Sequence, residues 1–180
     1  MPITPDTKDW TWVLQRPCTE CGFDVRSFPR EDMGRLLREN AREWTPLLAH
    51  PLATERPNDH TWSALEYACH VRDVFKLYDY RLDLMLAEDD PLYPNWDQDE
   101  TAVADRYDRQ DPDVVAEELE RAAHALADRF DEVEGQAWER TGRRSDGASF
   151  TIESFARYLI HDPIHHLHDV RSGFAALEDR

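Results

Sequence analysis

Lysine is nearly absent from this 180-residue chain, where Lys8 and Lys76 are the only two. Lysine and arginine together number 21 against 38 aspartates and glutamates, a formal net charge of -17. Nucleic acid and anionic membrane both require a basic footprint on a partner, so neither is expected here. The acidic excess favours solubility and can draw cations toward a polar cleft. Long hydrophobic runs are missing too, and nothing approaches the roughly 18 to 20 apolar residues of a membrane span. Residues 1–12 are polar, without the cationic start and apolar core of a signal peptide. A cytoplasmic location is therefore expected. Cysteine is scarce: Cys18, Cys21 and Cys69 do not make a disulfide framework. Neither an internal repeat nor a low-complexity tract is present. What remains is ordinary globular material, 41% hydrophobic and long enough for one real core.

Proline and apolar periodicity divide the chain. Pro2, Pro5, Pro17 and Pro29 break any helix in residues 1–29, which read as an irregular N-terminal extension; residues 30–180 read as one bundle domain. A first helix starts near Glu31, with Glu31 and Asp32 favourable against its dipole, and ends before Pro51. A second begins at Ser63, where Ser63 and Glu66 form a capping box and Trp62 and Tyr67 a hydrophobic staple. Tyr67, Val71, Val74, Tyr78, Leu82 and Met85 then recur at helical spacing to about Glu88. Residues 89–111 form a long connection of the kind that tends to be functional. Asp111 caps a third helix with Pro112 at its first position, running to about Glu134. Thr151 caps a fourth, with Phe150 and Phe155 as a staple, ending near Gly173. Four amphipathic helices and no convincing strand predict an all-α antiparallel four-helix bundle. The long connection leaves room for a crossover.

Four of the eight histidines crowd into the stretch from His161 to His168. His161 and His165 are four apart, so both point the same way from one helix, a natural pair of ligands for zinc or nickel. His70 sits between Tyr67 and Val74 in the apolar pattern, facing the bundle interior. From the residues alone, His70 reads first as a hydrogen-bonded core histidine, and clustered histidines such as the pair also occur on solvated faces. Pro163 between the paired histidines should kink the helix and change its phase. If it does, Asp162, His166 and His168 are the substitutes.

Residues 62–70, Trp-Ser-Ala-Leu-Glu-Tyr-Ala-Cys-His, resemble the second-helix motif of the DinB/YfiT-like superfamily. His161-x-x-x-His165 with Leu167 and Val170 resembles its fourth-helix motif, and the likeness covers roughly residues 30–172. The resemblance implies one divalent metal held by His70, His161 and His165 in a four-helix bundle that often forms a homodimer. Three protein ligands leave positions for water or substrate, the catalytic arrangement. Relatives of this kind include thiol-dependent S-transferases and maleylpyruvate isomerases. The expected function is therefore metal activation of a small-molecule thiol toward an electrophilic substrate. Mycothiol is the leading thiol, on the resemblance and the arginine-rich composition. A metal-dependent hydrolase and a metal-binding stress or interaction protein without turnover are the alternatives.

Two features depart from the family pattern, Pro163 and the C-x-x-C of Cys18 and Cys21. The latter resembles half a zinc knuckle, but no second C-x-x-C completes it; it reads first as two reduced structural thiols, with a second metal site completed by Cys69 or histidines and a redox pair as the alternatives. Cys69 is read as packing. Arg157 and Tyr158, one turn before His161, are candidate contacts for a bound anion. Trp96, Tyr93 and Tyr107 either cover a pocket mouth or anchor their loop. The runs Glu88–Asp90 and Asp97–Glu100 read as solvated loops.

Overall fold

The computed structural model describes Ile3 and residues 9–179; Pro2 and Pro5, read above as helix breakers, lie outside the described residues. The four long helices expected from periodicity are present: α1 (Met33–Leu48), α2 (Ala64–Ala87), α4 (Pro112–Asp131) and α5 (Ile152–Glu178). A short α3 (Gln98–Ala104) lies within the long connection. The start signals act as the sequence implies. Ser63 accepts from the Glu66 backbone while the Glu66 side chain accepts from the Ser63 backbone. The staple rings of Trp62 and Tyr67 have centroids 5.5 Å apart. Asp111 accepts from the backbones of Asp113 and Val114 at the start of α4. Thr151 caps α5 reciprocally with Ser154, and α5 runs past Gly173 to Glu178.

Chain order is not packing order. α1 lies mainly against α4, and α4 also packs along α2, so α4 fills the space beside both earlier helices. α5 packs against α1 and α2 on the other side. The connection through residues 88–111 makes this crossover possible. It is tied down by Tyr107, fully buried, whose hydroxyl donates to Asp73 at 2.5 Å. Arg72 beside it bonds Asp73, Gln110 and Glu118, joining α2, the connection and α4.

The expectation of no strand is corrected. β1 (Leu92–Tyr93) pairs parallel with β2 (Thr141–Arg144), which pairs antiparallel with β3 (Ser149–Thr151). These segments are only a few residues long and include Gly142, so no alternating apolar pattern marks them. Gly142 is required by packing: a Cβ there would lie 2.7 Å from Met85 Cγ. Gly34 has a like role, since its Cβ would come within 2.0 Å of Asp131 Oδ1 and 3.0 Å of the Ala127 carbonyl. It sets the close approach of α1 and α4.

The N-terminal extension is more ordered than the sequence suggests. Thr11–Leu14 forms a 3-10 helix against α5, and Val13, Cys18 and Val25 are buried. Arg157 on α5 donates to the carbonyls of Val25 and Phe28 at 2.6 and 3.2 Å, and its cation lies over Phe28. Among the described residues, no helix is long and apolar enough to cross a membrane.

Candidate metal centre

The three histidines singled out from sequence do not form one group. His161 and His165 come together, their ring centroids 5.1 Å apart, but they face Cys18 and Cys21 of the N-terminal extension. His70 faces Asp162 and His166 instead. In each of these two groups the potential ligand atoms lie within 4.8 Å of one another. The physical reason is helix phase. Adjacent residues on a helix are about 100° apart, so the row His161–His165 looks toward the extension and the row Asp162–His166 toward α2. α5 continues unbroken through the buried Pro163.

His70 is positioned by α2, whose capping box fixes the first turn and hence the direction of the residues after it. It is buried, with its ring stacked on Trp96 at a centroid distance of 5.5 Å and tilted against Trp62 at 5.5 Å. Its Nε2 lies 3.3 Å from Asp162 Oδ1 and 3.2 Å from Oδ2. Its Nδ1 is buried without a hydrogen-bond partner, so stacking and Asp162 orient the ring. His166 Nε2 is 3.5 Å from Asp162 Oδ1. On its other side, His166 Nδ1 lies 2.8 Å from Asp169 Oδ2. A carboxylate behind a histidine in this way fixes the tautomer and turns the free nitrogen toward a metal.

The electrostatics of this group are those of a cation site. Burial opposes ionisation of Asp162, but His70 and His166 outweigh it and hold the carboxyl well below its usual range. Burial likewise opposes charge on His166, yet Asp162 and Asp169 raise its pKa far above the ordinary imidazole value. The negative pair Asp162 and Asp169 thus demands a compensating positive charge, from a proton or from a metal ion. Two imidazoles and one carboxylate fit a divalent cation.

The second group is less charged. Burial, with His165 next to it, lowers the His161 pKa to about 4. Burial also lowers that of His165 and raises the Cys21 thiol to about 11. Cys18 Sγ lies 3.7 Å from His165 Nδ1, and Cys21 Sγ lies 3.7 Å from His161 Nε2. The Trp10 ring covers both histidines.

Both groups border one cleft of about 570 Å³. Trp62 and Trp96, in contact with His70, and Tyr67, in contact with His166, line it together with Tyr78, Arg81, Arg144 and Tyr158. Arg144 is paired with Asp146 at 2.9 Å and lies over the Tyr158 ring. Of the two proposed anion contacts, Tyr158 lines the cleft. Arg157 does not; it is spent on Glu153 and on the carbonyls of the extension. Of the loop aromatics, Trp96 lines the cleft while Tyr93 and Tyr107 are buried anchors. Cys69 is fully buried, free and pushed by burial to about 12, in keeping with a packing role. Glu88, Asp89 and Asp90 are exposed, whereas Asp97 caps α3 and borders the cleft with Asp99.

Asp169 and Trp10 carry parts of the site that sequence reading missed. Of the three substitutes, Asp162 and His166 join His70, and their four-residue spacing is the same signal that His161 and His165 give; His168 is exposed and belongs to neither group.

None of the curated proteins compared with the chain matches it significantly. Among solved structures, YfiT from Bacillus subtilis, described as a probable metal-dependent hydrolase with an unusual four-helix bundle topology, superposes with a TM-score of 0.74. The match has 16% identity and covers 83% of this chain and 87% of that one, a likeness of fold. A model of the DinB superfamily matches residues 34–170, well over half of the sequence, and the chain therefore belongs to the DinB superfamily.

Proposed function

We propose that the chain is a divalent-metal-dependent enzyme whose ion is held by His70, Asp162 and His166 at the wall of the cleft. The carrying observation is the backing of His166 by Asp169 at 2.8 Å, which leaves its Nε2 directed at Asp162. Two histidines with one carboxylate is the donor class of hydrolytic zinc sites, with further coordination positions open to the cleft. A bound ion would supply Lewis acidity and make a water or thiol beside it acidic near neutral pH. The chain's own residues do the rest. Trp62 and Trp96 shield His70 from water, and Arg144 and Tyr158, which line the same cleft, offer donors to an anionic group. Zinc and nickel are the leading ions, because imidazole suits both.

Hydrolysis is the first reading, since the oxygen ligand makes the site harder than three imidazoles would. The description of YfiT as a probable metal-dependent hydrolase agrees with it. Transfer of a thiol, with mycothiol leading, is the second. It is favoured by a cleft of about 570 Å³, roomy enough for a cosubstrate and an electrophile together. A homodimer is the assembly that the family resemblance implies, and a cytoplasmic location is the expectation from the polar N-terminus.

The test is a substrate screen on metal-loaded protein, with esters, amides and phosphoesters in one arm and thiols with electrophiles in the other. Metal-dependent turnover that disappears in Asp162→Ala and His166→Ala, both still helical by circular dichroism, is expected. Full metal content and turnover in both variants would overturn the assignment.

A further inference from the structure

We infer that Cys18, Cys21, His161 and His165 form a second, closed zinc site that pins the N-terminal extension to α5. A tetrahedral zinc with bonds of about 2.3 Å to sulfur and about 2.0 Å to nitrogen sets each sulfur roughly 3.5 Å from each nitrogen. Two of the four sulfur–nitrogen pairs are at 3.7 Å, and all four potential ligand atoms lie within 4.8 Å of one another.

The local backbone is built for this. The Cys18 amide donates to the Phe23 carbonyl at 2.9 Å and the Gly22 amide donates to the Cys18 carbonyl at 3.0 Å. The loop closes through Gly22 at φ +77°, with open space where a Cβ would stand. That turn presents both thiols to one point. The histidines are four apart on α5 and present their nitrogens to the same point. His165 uses Nδ1 toward Cys18, while its Nε2 lies 3.6 Å from both Glu20 Oε2 and Asp169 Oδ2. Carboxylates behind a ligating imidazole are the usual outer support of zinc.

Charge and burial favour a metal over the other uses of C-x-x-C. Both thiols are free, and each faces an imidazole. Cys18, His161 and His165 are exposed by only 2, 5 and 6%. Two thiolates with Zn²⁺ and two neutral imidazoles make a set of zero net charge, which can be buried without an unpaired ion. Four protein ligands leave no open position, so the site is structural. It shares no donor with the open site and stands whether or not that site is catalytic.

The experiment uses the full chain purified without a histidine tag. Titration of the thiols with a mercurial, monitored by a zinc indicator, should release one zinc per chain as Cys18 and Cys21 react. Cobalt-exchanged protein should show a thiolate-to-cobalt charge-transfer band with tetrahedral d–d bands. Those bands should persist in His166→Ala and vanish in the Cys18→Ser, Cys21→Ser double variant. The mercurial titration needs no variant, so it decides the matter even where the double variant fails to fold. No zinc release and no thiolate band in the cobalt protein would overturn the proposal, as would a Cys18–Cys21 disulfide in zinc-free protein isolated under reducing conditions.

Discussion

His161 and Asp162 are neighbours in the chain, yet they belong to different donor groups. His161 Nε2 lies 3.7 Å from Cys21 Sγ, while Asp162 Oδ1 lies 3.3 Å from His70 Nε2. One helix therefore contributes to two donor groups through adjacent rows of side chains.

Asp169 stands behind both rows, at 2.8 Å from His166 Nδ1 and 3.6 Å from His165 Nε2. Asp169→Asn keeps the shape and removes the charge. We predict that it weakens metal binding at the open site by roughly 10- to 100-fold, the usual cost of losing an outer carboxylate. Competition against a chelator of known affinity measures this. An unchanged affinity would remove Asp169 from the site.

Gly34 lies where α1 meets α4 most closely. Gly34→Ala puts a methyl 2.0 Å from Asp131 Oδ1, which must swing off its pairing with Arg38, and 3.0 Å from the Ala127 carbonyl, where the helices have little room to give. A loss of about 1–3 kcal/mol is expected from such overpacking. Urea unfolding followed by circular dichroism checks it. Stability equal to the parent would mean that the helices part at no cost.

The α2 start gives a separate number. Ser63→Ala removes the side chain that accepts from Glu66 N, and capping losses of this kind cost about 1 kcal/mol. Glu66 is also paired with Arg56, so Glu66→Ala should cost more than Ser63→Ala in the same unfolding assay. The reverse order would show that the pairing contributes nothing.

The pairing of Glu153 with Arg157 and Arg30 should weaken in acid. Burial raises the Glu153 pKa, but hydrogen bonds from Arg157 and Arg30 outweigh that effect and hold it below 4.5. A depressed folded value means that the contribution is present above the unfolded pKa and is lost as pH falls through the folded one. The stability difference between the parent and Glu153→Gln should therefore be constant near neutrality and shrink once pH drops below about 4.3. Melting curves from pH 7 downward read this directly, and a difference that grows in acid would contradict it.

Much of the architecture was legible because its signals are local. Ser63 with Glu66, Asp111 with Pro112, and Thr151 each announce a helix within a few residues, and the family likeness of residues 62–70 rests on the same stretch. The strands were not, because Leu92–Tyr93 is stabilised by pairing with residues some fifty positions away. The partition of the histidines was hidden for a related reason. Spacing shows that His161 and His165 share a face, but only packing shows which face meets α2. Cys18 and Cys21 find their partners 147 and 140 residues later, a distance at which C-x-x-C carries no information about what completes it.

The two rows on α5 also bear on how such a site could change over generations. A single extra residue in the helix ahead of His161 would turn everything after it by about 100°. His161 and His165 would then occupy the positions now held by Asp162 and His166, opposite His70. The same turn would carry the buried Leu167 and Val170 off the core and shift Asp169 from its place, so packing along the rest of α5 holds the mixed set in its present register. The same step would strand Cys18 and Cys21 without their partners.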